Sequence, residues 1–254
     1  MSNILRQSST RIKTGLALMS VFLIMGYIDN LYLTWFMLGL VMFFAVKEAS
    51  NLFGIEDERM EIISLAVWYV ALFYPQPIDL IFVVGLILAS YLAYTKNLDK
   101  RMFLPLLYPL APMLFLLAIY TNYGIEYLLW LIFIVSGADI GAYFVGKSIG
   151  KTSFCATSPN KTLEGVTGGM LVAAIAGTLI APSSVDVIYA FIISFVAAGA
   201  SVFGDLFESY LKREAGVKDS GDILPGHGGM LDRSDGFLFA AIIMYIALQF
   251  VSTL

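Results

Sequence analysis

The stretch "LPGHGGMLDRSDGFLFAAIIMYIALQFV", residues 224–251, joins a polar, glycine-rich segment to an apolar run. Residues 224–236 contain the only histidine, His227, four of the 22 glycines, and three charged residues, Asp232, Arg233 and Asp235. From Phe237 to Val251 the chain is almost wholly apolar, as a helix bathed in lipid would be. The rest of the chain repeats that pattern. Of its 254 residues, 59% are hydrophobic and 13% charged, and the mean hydropathy is +0.83. So few charged side chains cannot cover a soluble globule, so a bilayer must solvate much of the chain.

A hydrocarbon core of roughly 30 Å takes about 17–25 apolar residues per helix. Nine candidate spans follow: Thr14–Ile28, Leu31–Val46, Ile62–Pro75, Ile78–Tyr94, Phe103–Tyr120, Ile125–Val145, Gly165–Ala181, Val185–Leu211 and Phe237–Val251. All 15 basic residues fall in the N-terminus or in a loop after an even-numbered span. The expectation is an all-α, polytopic integral membrane protein with about nine transmembrane helices. Its N-terminus and long loops would be cytoplasmic and its C-terminus outside. The start, "MSNILRQSSTRIKTGLALMS", resembles a secretory signal, but no small-residue cleavage site follows, so a retained first helix is expected. One membrane domain is expected over 1–254, with N-terminal helices at about 14–120 and catalytic helices and loops at about 125–254. The lone Cys155 excludes an internal disulfide or a cysteine metal cluster.

Three inner segments are long. Residues 47–61, with "EDER", read as a solvated loop or short surface helix; 147–164, "KSIGKTSFCATSPNKTLE", are basic and rich in Ser and Thr. Residues 212–236 carry the most chemistry. The eighth span runs on into "SVFGDLFESYLKR", which sets Ser201, Asp205, Glu208, Ser209 and Lys212 on one helix face. In the sixth, Asp139, Tyr143 and Lys147 form a similar stripe. A carboxylate in a span costs about 2.5–3.5 kcal/mol, so each acid needs a partner or a wet cavity. Structural ion pairing would satisfy Asp139, and helix capping equally explains Asp232 and Asp235. If they are instead brought together, Asp205, Asp232 and either Asp235 or Asp219 make an oxygen-only cluster suited to Mg²⁺ rather than zinc. Lys212, Arg213, Lys218, Arg233 and His227, among glycines 226, 228, 229 and 236, form a phosphate cradle.

The segment "SYLKREAGVKDSGDILPGHGGMLDRSD", Ser209–Asp235, resembles the signature of the phosphatidate cytidylyltransferase (CDP-diacylglycerol synthase) family. That pattern runs Ser, Lys-Arg, Lys-Asp, Pro-x-His-Gly-Gly and Asp-Arg-x-Asp, and Ser234 is the one departure, where an aliphatic residue or Thr is usual. "ADIGAYFVGKSIGKT" and "SPNKTLEGVTGG" also resemble family blocks, so the likeness covers about the C-terminal half. It implies a Mg²⁺-dependent, all-helical membrane homodimer that converts CTP and phosphatidic acid into CDP-diacylglycerol and pyrophosphate in phospholipid biosynthesis. A second, monovalent ion is a further candidate cofactor, and no nucleic acid partner is implied. The site would face the cytoplasm from a prokaryotic inner membrane. On this reading Asp205 and Asp232 hold the metal, with Asp235 and Asp219 as secondary ligands. Lys212, Arg213, Lys218 and Arg233 bind phosphates, and His227, Gly228 and Gly229 shape the nucleotide loop. Ser158, Lys161, Ser209 and Asp139 complete the substrate pocket. The nearest alternative is another CTP-using lipid enzyme, a polyprenol or dolichol kinase or a CDP-archaeol-type synthase. A transporter also buries acids in broken helices, but the polar residues gather at one face and no inverted repeat is visible.

Overall fold

The structure, a computed structural model, describes residues 20–253. Residues 14–19 of the first expected span, and Arg6, Arg11 and Lys13, lie outside the described residues. The architecture is helical: α1 (20–28), α2 (Leu31–Leu52), α3 (Arg59–Ala71), α4 (Pro77–Thr95, opening in a 3-10 turn), α5 (Lys100–Tyr123), α6 (Ile125–Ile149), α7 (Leu163–Ile180), α8 (Val187–Glu214) and α9 (Leu231–Ser252). No β-strand occurs among the described residues, which hold two isolated bridges, Ser153–Thr162 and Leu224–Gly228. Seven of these helices, α2 and α4 to α9, are long and apolar enough to cross a bilayer. Their outward side chains include Leu179 and Phe82, exposed by 81% and 75%. Large apolar groups so exposed on helix after helix are a lipid-facing surface. The chain is an integral membrane protein.

A helix overlaps each expected span among the described residues, seven of them long and apolar enough to cross a bilayer, with two informative differences. The third is 13 residues long, about 20 Å at 1.5 Å per residue, and begins at Arg59 rather than Ile62. Helix α2 does not stop at Val46 but continues through Lys47 to Leu52, and Glu48, Ala49 and Ser50 of the expected surface segment are buried in it.

The described residues form two compact units. The first contains the described residues up to Leu117 together with Glu214–Ser234. Within it the Asn30 side chain caps α2 by accepting from the Tyr32 and Leu33 amides at 3.0 and 3.2 Å. Helices α2 and α3 exchange indole hydrogen bonds: Trp35 Nε1 donates to the Trp68 carbonyl at 2.9 Å, and Trp68 Nε1 to that of Trp35 at 3.2 Å. Two local clamps of one design hold the turns before α3 and α5. Asp57 accepts from the amide and guanidinium of Arg59, and Asp99 does the same for Arg101. Each arginine also reaches the other's turn, Arg59 to the Asn97 carbonyl and Arg101 to that of Phe53. These guanidiniums hold the carboxyls of Asp57 and Asp99 below their ordinary value of 3.8. Helix α5 is interrupted at Tyr108 (φ −150°, ψ 111°), just before Pro109, which has no N–H to continue the ladder.

The second unit comprises Ala118–Arg213 and the described residues from Asp235. Its organising contact is α6 against α7. Gly165, Gly169, Ala173 and Gly177 recur every four residues along α7 and so line one face. Between membrane helices such small residues let backbones approach, since lipid offers no hydrophobic drive to associate. A Cβ added at Gly169 would stand 2.5 Å from the Ala138 carbonyl oxygen, and one at Gly165 2.9 Å from that of Ala142. Gly204 plays the same part on α8, where a side chain would run into the Asp235 carbonyl.

Candidate functional site

The expected site residues fall into two groups, one within each unit. In the first unit, residues 214–234 fold into a loop by way of left-handed glycines. Gly226 (φ 79°) and Gly228 (φ 81°) flank His227, a conformation most side chains resist. The turn closes with His227 N donating to the Leu224 carbonyl at 2.8 Å and Leu224 N to that of Gly228 at 2.9 Å. Arg233, in the first turn of α9, donates from Nε to the His227 carbonyl at 3.1 Å. An open cavity of about 490 Å³ lies against this turn, with Lys218, Asp219, Asp222, His227, Gly228 and Arg233 in its walls. Two cations and a glycine backbone around such a space suit a phosphate-bearing ligand. Among the described residues, the His227 Nδ1 is buried without a hydrogen-bond partner.

Asp232 lies beneath the turn. Its Oδ2 accepts from Gly229 N at 2.8 Å, Ser220 N at 2.9 Å and Ser220 Oγ at 3.0 Å. Ser220 Oγ is also 2.8 Å from Oε2 of Glu48, a residue of α2 within the segment expected to be a solvated loop or short surface helix. Glu48 is 3% exposed, and it further accepts from the Met230 and Leu231 amides at 2.9 and 2.8 Å. A signal for it was present: it is an acid four turns into a helix of high hydropathy, and such an acid requires a partner. The neighbouring charges of "EDER" concealed it.

In the second unit, the stripe along α8 is present as expected. Ser209 Oγ donates to Asp205 Oδ1 at 3.3 Å, and Lys212 Nζ to Glu208 Oε2 at 2.7 Å. Lys161 pairs with Asp205 from the loop before α7. That loop is fixed locally: Thr162 caps α7 by accepting from the Gly165 amide at 3.1 Å, Lys161 N donates to the Ser158 carbonyl at 3.0 Å, and Glu164 accepts from the Lys151 amide at 3.1 Å and from Thr152 Oγ1 at 2.8 Å. Asp235 lies within electrostatic reach of Asp205 and Asp139. A cavity of about 230 Å³ is lined by Asp139, Tyr143, Asn160, Lys161, Thr162 and Val202. Lys147 stacks over the Tyr143 ring at 5.6 Å, and Arg213 is exposed at the end of α8.

Among the described residues no three His, Cys, Asp or Glu side chains are gathered as a complete protein-built metal site. Mg²⁺ does not require one: it binds through one or two carboxylates and takes water and phosphate for the rest. The donors present are oxygen-only, and the carboxyl groups of Asp205 and Asp235 lie within electrostatic reach of each other. Asp232 has the hydrogen-bonded surroundings usual for a ligating carboxylate. The residues fit the ion.

These features define a polytopic, all-α membrane protein with a charged cavity in each of its two units. The chain belongs to the cytidylyltransferase family, whose model matches residues 9–251. Among its relatives, a phosphatidate cytidylyltransferase of Helicobacter pylori is 40% identical over 248 residues, covering 96% of this chain and 93% of that protein. One from Thermotoga maritima is 37% identical over 190 residues, 68% of this chain and 69% of that protein. One from Bacillus subtilis is 44% identical over 135 residues, 52% of this chain and 50% of that protein.

Proposed function

We propose that this chain is a phosphatidate cytidylyltransferase: it transfers the cytidylyl group of CTP to phosphatidic acid, giving CDP-diacylglycerol and pyrophosphate. The observation that carries this reading is the cavity in which Lys218 and Arg233 stand beside the left-handed Gly226–His227–Gly228 turn, in a chain of the cytidylyltransferase family. An oxygen of the lipid phosphate attacks the α-phosphorus of CTP, and the bond from that phosphorus to the α–β bridging oxygen breaks, with pyrophosphate leaving. The attacking phosphate is already anionic, so no strong base is needed. What the residues must provide is charge neutralisation and alignment.

Lys218 and Arg233 neutralise phosphate oxygens in the cavity, and Arg233 also holds the His227 carbonyl, which fixes the nucleotide turn. His227, Gly228 and Gly229 shape that turn. Lys212 and Arg213 add positive charge from the end of α8. Ser158, Lys161, Ser209 and Asp139 are the proposed substrate contacts of the second unit. Asp205 and Asp232 are the carboxylates proposed to hold Mg²⁺, with Asp235 and Asp219 as further ligands. When bound, the ion neutralises the triphosphate and helps align the displacement. The proposed setting is a prokaryotic inner membrane, with the protein a homodimer and its site on the cytoplasmic side, where CTP is present; the one-sided basic residues and the bacterial relatives support this.

The test is conversion of phosphatidic acid by the purified protein in detergent, with CTP and Mg²⁺, and product identified as CDP-diacylglycerol. Parallel reactions with a polyprenol and with an ether-linked phosphatidic acid separate the related lipid enzymes. Product only from one of those acceptors would replace this reading.

A further inference from the structure

Glu48 is absent from every motif discussed above, yet it is buried and both of its carboxylate oxygens accept backbone hydrogen bonds. It comes from α2, more than 170 residues before the loop it holds. Its Oε1 accepts from the Met230 amide, and its Oε2 accepts from the Leu231 amide and faces Ser220 Oγ. The two amides are among the first of α9, which no intrahelical carbonyl can satisfy. A carboxylate there also suits the positive end of the helix. A second, independent feature concerns the space it occupies. A Cβ on Gly229 would collide with Glu48 Oε2 and Ser220 Oγ, and one on Gly221 would come within 2.6 Å of Glu48 Oε1. Both ends of the cavity loop are therefore bare backbone where they meet this one side chain.

We infer that Glu48 is a positioning residue for the nucleotide: it ties Ser220 to Met230 and Leu231 and so fixes the Gly228–Gly229 backbone and Arg233 relative to the bound phosphates. It touches no substrate. This inference rests on the reading of the cavity as the CTP site, and it goes beyond that reading in assigning the loop's geometry to the second helix of the chain.

The geometry dictates the test. Glu48→Gln is isosteric but has one acceptor oxygen. The Met230 and Leu231 amides each donate to a different oxygen of Glu48, so the NH₂ group of Gln must be turned against one of the two N–H groups. Leaving one buried N–H unpaired is expected to raise the KM for CTP about tenfold, while the KM for phosphatidic acid stays within about twofold. Gly229→Ala displaces the same carboxylate, so it should give the same signature, and the double variant should be no worse than the poorer single one. Each is assayed as full-length protein in detergent, per folded molecule judged by size exclusion. Should Glu48→Gln not fold, Ser220→Ala, which removes only one of its partners, is held to the same criterion. A CTP KM within twofold of wild type overturns the inference, whatever happens to kcat or yield, and so does an equal rise in both KM values. If wild-type protein makes no CDP-diacylglycerol, the functional reading fails first; if it does, the KM pattern judges Glu48 alone.

Discussion

Replacing Asp232 by Asn separates two roles that its surroundings allow. Up to three donors converge on one oxygen, Oδ2: the Gly229 and Ser220 amides and, when its single hydrogen is turned this way rather than toward Glu48, Ser220 Oγ, at 2.8 to 3.0 Å. The single oxygen of Asn can occupy that position and keep them. What is lost is the charge in each bond, about 1 kcal/mol apiece, since bonds to charged groups contribute about 1.5–3 kcal/mol and neutral ones about 0.5–1.5. The fold should therefore lose about 3 kcal/mol at most, less whatever is recovered by no longer holding two carboxylates on either side of one hydroxyl. At roughly 2–4 °C per kcal/mol for a chain of this size, melting in detergent should fall by no more than about 12 °C. As a metal ligand, by contrast, Asp232 cannot be replaced by a neutral amide, and turnover should fall at least a hundredfold, about 2.7 kcal/mol of barrier. The assay is CDP-diacylglycerol formation across a Mg²⁺ titration, at a temperature where the variant is folded, beside Asp205→Asn and the double variant. If the two acids serve one ion, the double should be no worse than either single change. More than a tenth of wild-type turnover in folded Asp232→Asn protein would refute the metal role and leave Asp232 as a support of the loop.

Arg233→Lys keeps the charge but loses the planar fork and the Nε bond to the His227 carbonyl, so activity should fall at least tenfold with insertion unchanged; near-normal turnover would make Arg233 a topogenic charge only. Gly169→Ala sets a methyl against the Ala138 carbonyl and should destabilise the α6–α7 pairing by about 1–3 kcal/mol, read as loss of folded protein; an unchanged melting temperature would show that the helices can separate freely. A cysteine placed beside Lys100 should be labelled only from the cytoplasmic side and one after Leu254 only from outside, and labelling of both from one side would mean an even number of spans.

The helices were legible because apolar length is a one-dimensional property, and the α8 stripe was legible because helix periodicity is local. Asp205, Ser209, Glu208 and Lys212 meet as i,i+4 pairs that spacing alone foretells. The pairing of Lys161 with Asp205 joins residues 44 apart, so nothing in the order of residues announced it. Glu48 was missed for a different reason. Hydropathy falls at Lys47, which reads as the end of a span, whereas the helix continues because Glu48 finds its partners 172 to 183 residues later. The third helix came out short for the converse reason, since the apolar run after Ala71 continues into turns rather than helix.

The glycine and alanine face of α7 has an entropic side. Gly and Ala have no side-chain rotamers to surrender, so closing this face on α6 freezes almost nothing beyond the backbone already ordered in each helix. The contact is also unforgiving, because backbone against backbone contains no flexible group to absorb a small shift. One helix can slip past the other only by a whole ridge. Asp139 rides on α6, and Asn160, Lys161 and Thr162 are carried at the head of α7, so the distance across the cavity they line is set by a rigid helix pair. The mouth of that cavity has a gauge fixed before any ligand arrives, and a bulkier ligand would have to be met by movement elsewhere.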